Sequence, residues 1–171
     1  DPEPLFTSLF SGTFLGINAA FIWIVLFVIG FHLLLHRHRF GNHVFATGGN
    51  PGAATAIGIN TNRVKLIAFA IAGGMAAVAG ILATARVGSV QPGQGAGLEL
   101  QAIAACVIGG LSLRGGRGSI IGVFLGVLLI HTMTDVLLLL RAPGFYPDMF
   151  IATLTVLAAI FNHLIERRGL A

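Results

Sequence analysis

Charge is what this chain has least of. Only 9% of its 171 residues are Asp, Glu, Lys or Arg, against roughly 25% in an average soluble domain. Hydrophobic residues make up 56%, in runs too long and too numerous for a chain of this size to cover with its own protein. A soluble globular domain is excluded, and a chain embedded in a bilayer is expected. The one cysteine, Cys106, rules out an internal disulfide or a cysteine-based metal site and reads as a small apolar packing residue. Lys65 is the only lysine, and Leu66 follows it, so no phosphate-binding GK[ST] loop exists. The GGRGS at 115–119 imitates such a loop, but Arg117 stands where the lysine would be and apolar segments flank it. There is no GxSxG and only six acids are present, which leaves Ser/His/Asp hydrolysis without support. No catalytic residue, metal site or cofactor is expected on this chain. The net charge of +4 does not indicate nucleic acid, because the basic residues stand singly or in pairs at the ends of apolar runs. Asp1 and Glu3 precede the first apolar run where a signal peptide would carry positive charge, so none is read.

What is present centres on residues 47–65, TGGNPGAATAIGINTNRVK, a polar, glycine-rich stretch between two strongly apolar runs. Asn50 suits a helix cap and Pro51 a first helical position, while Ala53 to Ile57 allow a turn or two and Gly58 can end it. Asn60, Thr61 or Asn62 can then cap a further helix beginning at Arg63. A short helix across the mouth of a membrane bundle is expected, placed to meet another protein.

Five membrane segments are expected, over residues 17–35, 66–87, 98–113, 119–140 and 149–164. The first is followed at once by His36, Arg37, His38 and Arg39, a cluster that marks a cytoplasmic end by the positive-inside rule. These histidines read as interfacial anchors rather than metal ligands. The loop 40–65 is then cytoplasmic, as is LRGGRG at 113–118. Arg37, Arg39, Arg63, Lys65, Arg114, Arg117, Arg167 and Arg168 lie inside, Arg86 and Arg141 outside, together with Asp1, Glu3, Glu99 and Asp148. The C-terminus is cytoplasmic and the N-terminus external, a start most simply explained by spans missing upstream. Along 66–87, Ala68, Ala72, Ala76, Gly80 and Thr84 repeat every fourth residue, and Gly118, Gly122 and Gly126 form a GxxxGxxxG face; both patterns let helix backbones approach closely. The third segment is short. Its strictly apolar part, 100–110, cannot cross a ~30 Å core unaided, and Gly109 with Gly110 marks a turn or a very tight contact. It is either a short buried span or a broken one.

Polar residues inside these segments are candidate path residues. His131 and Asp135 are four apart and share a helical face, with Thr132 and Thr134 nearby. They suit either a hydrogen-bonded pair beside a path or a polar glue between helices. Glu99 and Gln101 stand at the outer end of the third segment, where a polar solute would enter or where ordinary interfacial solvation would place them.

GGNPGAATAIGIN at 48–60, followed after one span by LELQAIAACVIGGLSLRGGRGSIIG at 98–122, resembles the permease subunits of bacterial ABC importers of the ribose, xylose and galactose type. The likeness runs from about Leu15 to the end, and such permeases are roughly twice as long, so the chain reads as the C-terminal half of an all-α polytopic transmembrane bundle. The resemblance implies a multi-pass subunit of the bacterial inner membrane. It would dimerise with a second permease copy, either an identical chain or a close paralogue, bind a separate ATPase that holds ATP and Mg, and receive solute from a periplasmic binding protein. It also implies that Gly49, Asn50, Pro51, Ala53, Ala54, Gly58 and Asn60 belong to the coupling helix that docks on that ATPase. Where such permeases often carry an asparagine pair and a glycine in the penultimate span, this chain has Thr134, Asp135 and Val136. An ionised Asp135 accepts hydrogen bonds but cannot donate one.

The expected function is import of a monosaccharide-class sugar driven by ATP hydrolysis on another chain. Permeases for branched-chain amino acids, a quorum-signal sugar or nucleosides share this loop style. Outside that class stand an ATPase-independent channel or proton-coupled carrier, using His131 and Asp135 as a relay, and a scaffold with no flux.

Overall fold

In the computed structural model the described residues are 13–14, 17–89, 93, 95, 97–141 and 143–167. Most of residues 1–16, much of the stretch 90–96 ahead of the third expected segment, and Arg168 lie outside them. Two strands of two residues each, β1 (Thr13–Phe14) and β2 (Ile17–Asn18), pair antiparallel with Thr13 opposite Asn18 and Phe14 opposite Ile17. Seven helices follow among the described residues: α1 (Ala19–His36), α2 (Arg39–Gly49), α3 (Pro51–Ala56), α4 (Thr61–Val87), α5 (Leu98–Ile108), α6 (Ile120–Leu139) and α7 (Phe145–Arg167). The fold is an all-α helical bundle. Four helices are long and apolar enough to cross a membrane, namely α1, α4, α6 and α7, and α5 is a shorter apolar helix.

Local chemistry explains most helix ends, and several differ from the expected bounds. The pairing of β2 delays α1 to Ala19. Helix α4 starts at Thr61 rather than Arg63, because Asn60 Oδ1 accepts the Arg63 N–H at 3.1 Å and its carbonyl accepts from Val64 N. The apolar run after Leu98 is helical only to Ile108. There Leu111 N–H donates to Cys106 O and Gly110 N–H to Val107 O, with Gly110 at φ 80°, the closing pattern of a Schellman motif. At ~1.5 Å per residue the 11 residues of α5 span about 16 Å, half of a ~30 Å hydrocarbon core. Helix α7 begins at Phe145, ahead of Pro147. A proline in the first turn costs no hydrogen bond, since the first four N–H groups have no partner inside the helix. The helix thus begins ahead of the span expected over 149–164.

The chain divides into two compact units, Asp1–Val44 with Ala54–Ala96, and Phe45–Ala53 with Gly97–Ala171. In the first, α1 carries an aromatic ladder in which Trp23 and Phe27 stack at 5.8 Å and Phe27 meets Phe31 at 6.5 Å. Gly41 opens the tight passage from α1 into α2, where a methyl group would collide with the Leu35 carbonyl. Gly80, the glycine of the small-residue ridge on α4, faces no neighbour among the described residues, since a methyl there would meet nothing within 4 Å, and the same holds for Gly73 and Gly74 off the ridge.

The second unit holds a helix core. Helix α5 packs most extensively against α6 and then α7, burying Ala104, Ala105, Ile130 and Ile151 with Ile108 against them. In lipid there is little hydrophobic drive between helices, so association rests on close van der Waals contact at small residues. The crossing is made by Gly109, Gly122 and Gly126. A methyl on Gly109 would lie 2.5 Å from Gly122 O, one on Gly122 would strike Gly109 O, and one on Gly126 would strike Ala105 O. Gly118 is not part of that face. Ser119 caps α6 by accepting the Gly122 N–H at 3.0 Å, so Gly118 precedes the helix and lies under the Leu111 side chain. Asn162 on α7 donates to Leu111 O at 3.2 Å and ties the end of the hairpin to the third helix.

Gly126→Val should cost at least the roughly 1–3 kcal/mol of an overpacked contact, read as a lower unfolding temperature in detergent, whereas Gly30→Ala, in open space on α1, should leave it unchanged.

Candidate functional site

The polar segment between α1 and α4 is built as two helices in series. Helix α2 ends at Gly49, and Asn50 starts α3 by accepting the Ala53 N–H at 3.0 Å with Pro51 at the first position. Gly58 closes α3 at φ 88°, with Gly58 N–H to Thr55 O and Ile59 N–H to Ala54 O both at 3.0 Å, again a Schellman end. Six helical residues capped at both ends make a rigid, short, exposed element.

Its surfaces are unequal. Gly49, Asn50, Pro51, Ala53, Gly58 and Asn60 are exposed, but Ala54 is only 2% exposed. Ala54 thus faces inward, the one residue of the expected coupling set that is not presented at the surface. The exposed apolar side chain is Ile57 at 75%, which sequence reasoning passed over as a mere turn former. With Pro51 and Ala53 it gives this segment an exposed apolar surface.

The two glycine-rich motifs meet within the second unit. A methyl on Gly48 would sit 2.5 Å from Gly116 N and 3.2 Å from its Cα, and one on Gly116 would sit 2.6 Å from Gly49 Cα. Gly115 and Gly116 both have left-handed φ, 86° and 78°, a conformation that glycine adopts without a Cβ penalty. The loop that carries them is internally bonded, Ser112 N–H to Arg117 O at 3.1 Å and Gly115 N–H to Ser112 O at 3.0 Å. Backbone therefore lies directly on backbone between the end of α2 and the α5–α6 loop. The signal for this was a GG pair in each motif, but pairs alone do not say which meets which.

The candidate path residues separate. Gln101 on α5 and His131 on α6 line one cleft of about 230 Å³, with Leu98, Ala102, Ala105, Val127 and Ile130 as its apolar walls. Glu99, in the first turn of α5, and Thr134 and Asp135 on α6 do not line it. His131 and Asp135 are both exposed, and no hydrogen bond or ion pair joins them among the described residues. The Thr132 and Thr134 hydroxyls donate to the carbonyls of Leu128 and Ile130 in their own helix, so they extend no network toward Asp135. The hydrogen-bonded pair, one of the two arrangements that the spacing allows, is not formed among the described residues. A four-residue interval sets a shared face, not the rotamers.

Residues 2–159 match the family described as branched-chain amino acid transport system / permease component. The chain belongs to this permease family. Among its curated relatives is a probable ABC transporter permease protein, YphD, of Escherichia coli K12, 44% identical over 92% of this chain and 48% of the relative. The ribose import permease protein RbsC of Bacillus subtilis is 42% identical over 92% and 48% respectively. The autoinducer 2 import system permease protein LsrC of Salmonella choleraesuis is 42% identical over 86% of this chain and 42% of the relative. The chain spans about half the length of these curated relatives. No solved structure matches it. Membership of the permease family, with four helices able to span, makes this a multi-pass membrane protein.

Ala54→Glu should deplete the folded permease from membranes, because an unpaired charge buried at that position costs several kcal/mol. Ile57→Ser should leave its amount unchanged, both read by quantitative blotting after detergent extraction.

Proposed function

We propose that this chain forms part of the membrane-spanning subunit of an ATP-driven importer in the bacterial inner membrane, with a monosaccharide-class sugar as solute. The observation that carries the reading is α3, a short helix capped at both ends whose Ala54 is buried while Ile57, Pro51 and Ala53 stand exposed. Positive charge at Arg37, Arg39, Arg63 and Lys65 on either side of it, and at Arg167 and Arg168 near the chain end, supports a cytoplasmic position for that segment and for the C-terminus. There it meets a separate ATPase, which holds ATP and Mg. A periplasmic binding protein delivers solute from the other face, and a second permease copy, identical or paralogous, completes the path.

The cleft supports the solute class. Its polar atoms come from Gln101, whose amide both donates and accepts, and His131, whose two ring nitrogens offer hydrogen-bonding positions. Its walls are aliphatic, which suits the C–H faces of a sugar. A branched-chain amino acid, which the family's description suggests, brings an ammonium and a carboxylate that need charged partners when desolvated. No carboxylate, Arg or Lys is among the described lining residues, and this favours the neutral polyol. The names of the ribose and autoinducer 2 permeases agree with that choice. Transport follows from alternating access: nucleotide-driven movement of the docked ATPase displaces α3, and packed helices carry the displacement to the cleft.

In full-length permease with its ATPase, Ile57→Cys should crosslink to the ATPase in a nucleotide-dependent manner. Gln101→Ala and His131→Ala should each raise the half-saturating sugar concentration about tenfold, the loss of roughly one hydrogen bond, without changing basal ATP hydrolysis. Uptake of labelled leucine in place of labelled ribose would reject the sugar reading, and absence of the crosslink would reject the docking one.

A further inference from the structure

Nothing in a docked helix explains how its displacement reaches a cleft between two other helices. We propose that the contact of Gly48 and Gly49 with Gly115 and Gly116 is the mechanical link, which obliges the α5–α6 hairpin to move with the end of α2 and the first turn of α3. The inference rests on the docking reading of α3. Three observations carry it. Gly48 to Ala53 belong to the same compact unit as α5, α6 and α7. The contact is backbone against backbone, at distances where even one methyl group would force a shift, and such a contact has no flexible side chain to absorb a displacement. The loop bearing Gly115 and Gly116 is in turn fixed at both ends. The Gly109, Gly122 and Gly126 crossing holds α5 on α6, and Asn162 holds Leu111 from α7.

The chain of contacts then runs from the start of α3 through Gly48 and Gly116, into the loop, and along α5 and α6 to Gln101 and His131. These glycines are positioning residues. They touch neither solute nor ATPase in this scheme, and their effect is on the coupling between the two.

The test uses the full-length permease assembled with its ATPase. Gly48→Ala adds only the methyl contact, since Gly48 is not among the residues of positive φ. Gly88→Ala adds only the strain of a left-handed φ of 72°, with nothing within 4 Å of the new methyl, and serves as the control for strain. Gly48→Ala should lower sugar uptake at least about tenfold, the effect of a methyl forced into a close-packed contact, while ATP hydrolysis continues and the Ile57→Cys crosslink is retained. Gly88→Ala should keep both activities together.

Unchanged uptake in Gly48→Ala would overturn the link and leave docking standing. So would a loss of uptake accompanied by loss of the crosslink, which would assign the glycine to docking itself. Absence of the crosslink in the chain with native glycines would overturn both readings. If Gly48→Ala fails to fold, spin labels at Ala46→Cys and Leu113→Cys in a Cys106→Ser background decide the matter with all glycines native. Their separation should stay within about 2 Å between nucleotide-free and ATP-bound states, and a change of about 5 Å, the size of a one-turn slip, would overturn the link.

Discussion

Helices in a bilayer gain little from hiding apolar surface from one another, because lipid is as apolar as their side chains. What holds them is how closely their backbones can come. Among the described residues, that closeness between segments is achieved at glycine in two places. Gly109, Gly122 and Gly126 bring α5 onto α6, and Gly48 with Gly49 meets Gly115 with Gly116. At both, a single methyl would displace main-chain atoms, which cannot move out of the way as a side chain can.

The consequence is a division between stiff and open parts. The buried residues of the second unit are few and mostly small, Ala104, Ala105, Val107 and Gly126 among them, whereas the large side chains of α1, α4 and α6 point outward. Bulk is presented to the surroundings and smallness to the interior, the reverse of a soluble core. Within that frame α5 stops at half the thickness of a membrane, and its Schellman end at Gly110 turns the chain into the loop that meets α2. The short helix places Gln101 in the cleft and the glycine loop at the other end of the same rigid piece.

Much of this was legible from residues alone. Scarcity of charge and the long apolar runs led to a helical membrane bundle, and the resemblance carried by the two glycine-rich motifs led to the permease family to which the chain belongs. Asn50, Pro51 and Gly58 mark α3 because capping and left-handed φ are decided by neighbours within four residues. The helix over Arg39–Gly49 was missed, since glycines and histidines weaken the apolar period that announces a helix. Gly118 was grouped with Gly122 and Gly126 by spacing, but Ser119 starts the helix after it.

Sequence by itself determined the class of molecule, the short capped helix and the presence of two glycine-rich motifs, because each depends on composition or on neighbours a few residues apart. Only the tertiary structure decided that these motifs lie against one another, that Ala54 turns inward while Ile57 stays out, and that Gln101 shares a cleft with His131 whereas Asp135 does not. Those facts join residues some 30 to 70 positions apart or depend on which face of a helix is covered. Neither spacing nor residue type records where a face is covered until the helices have packed.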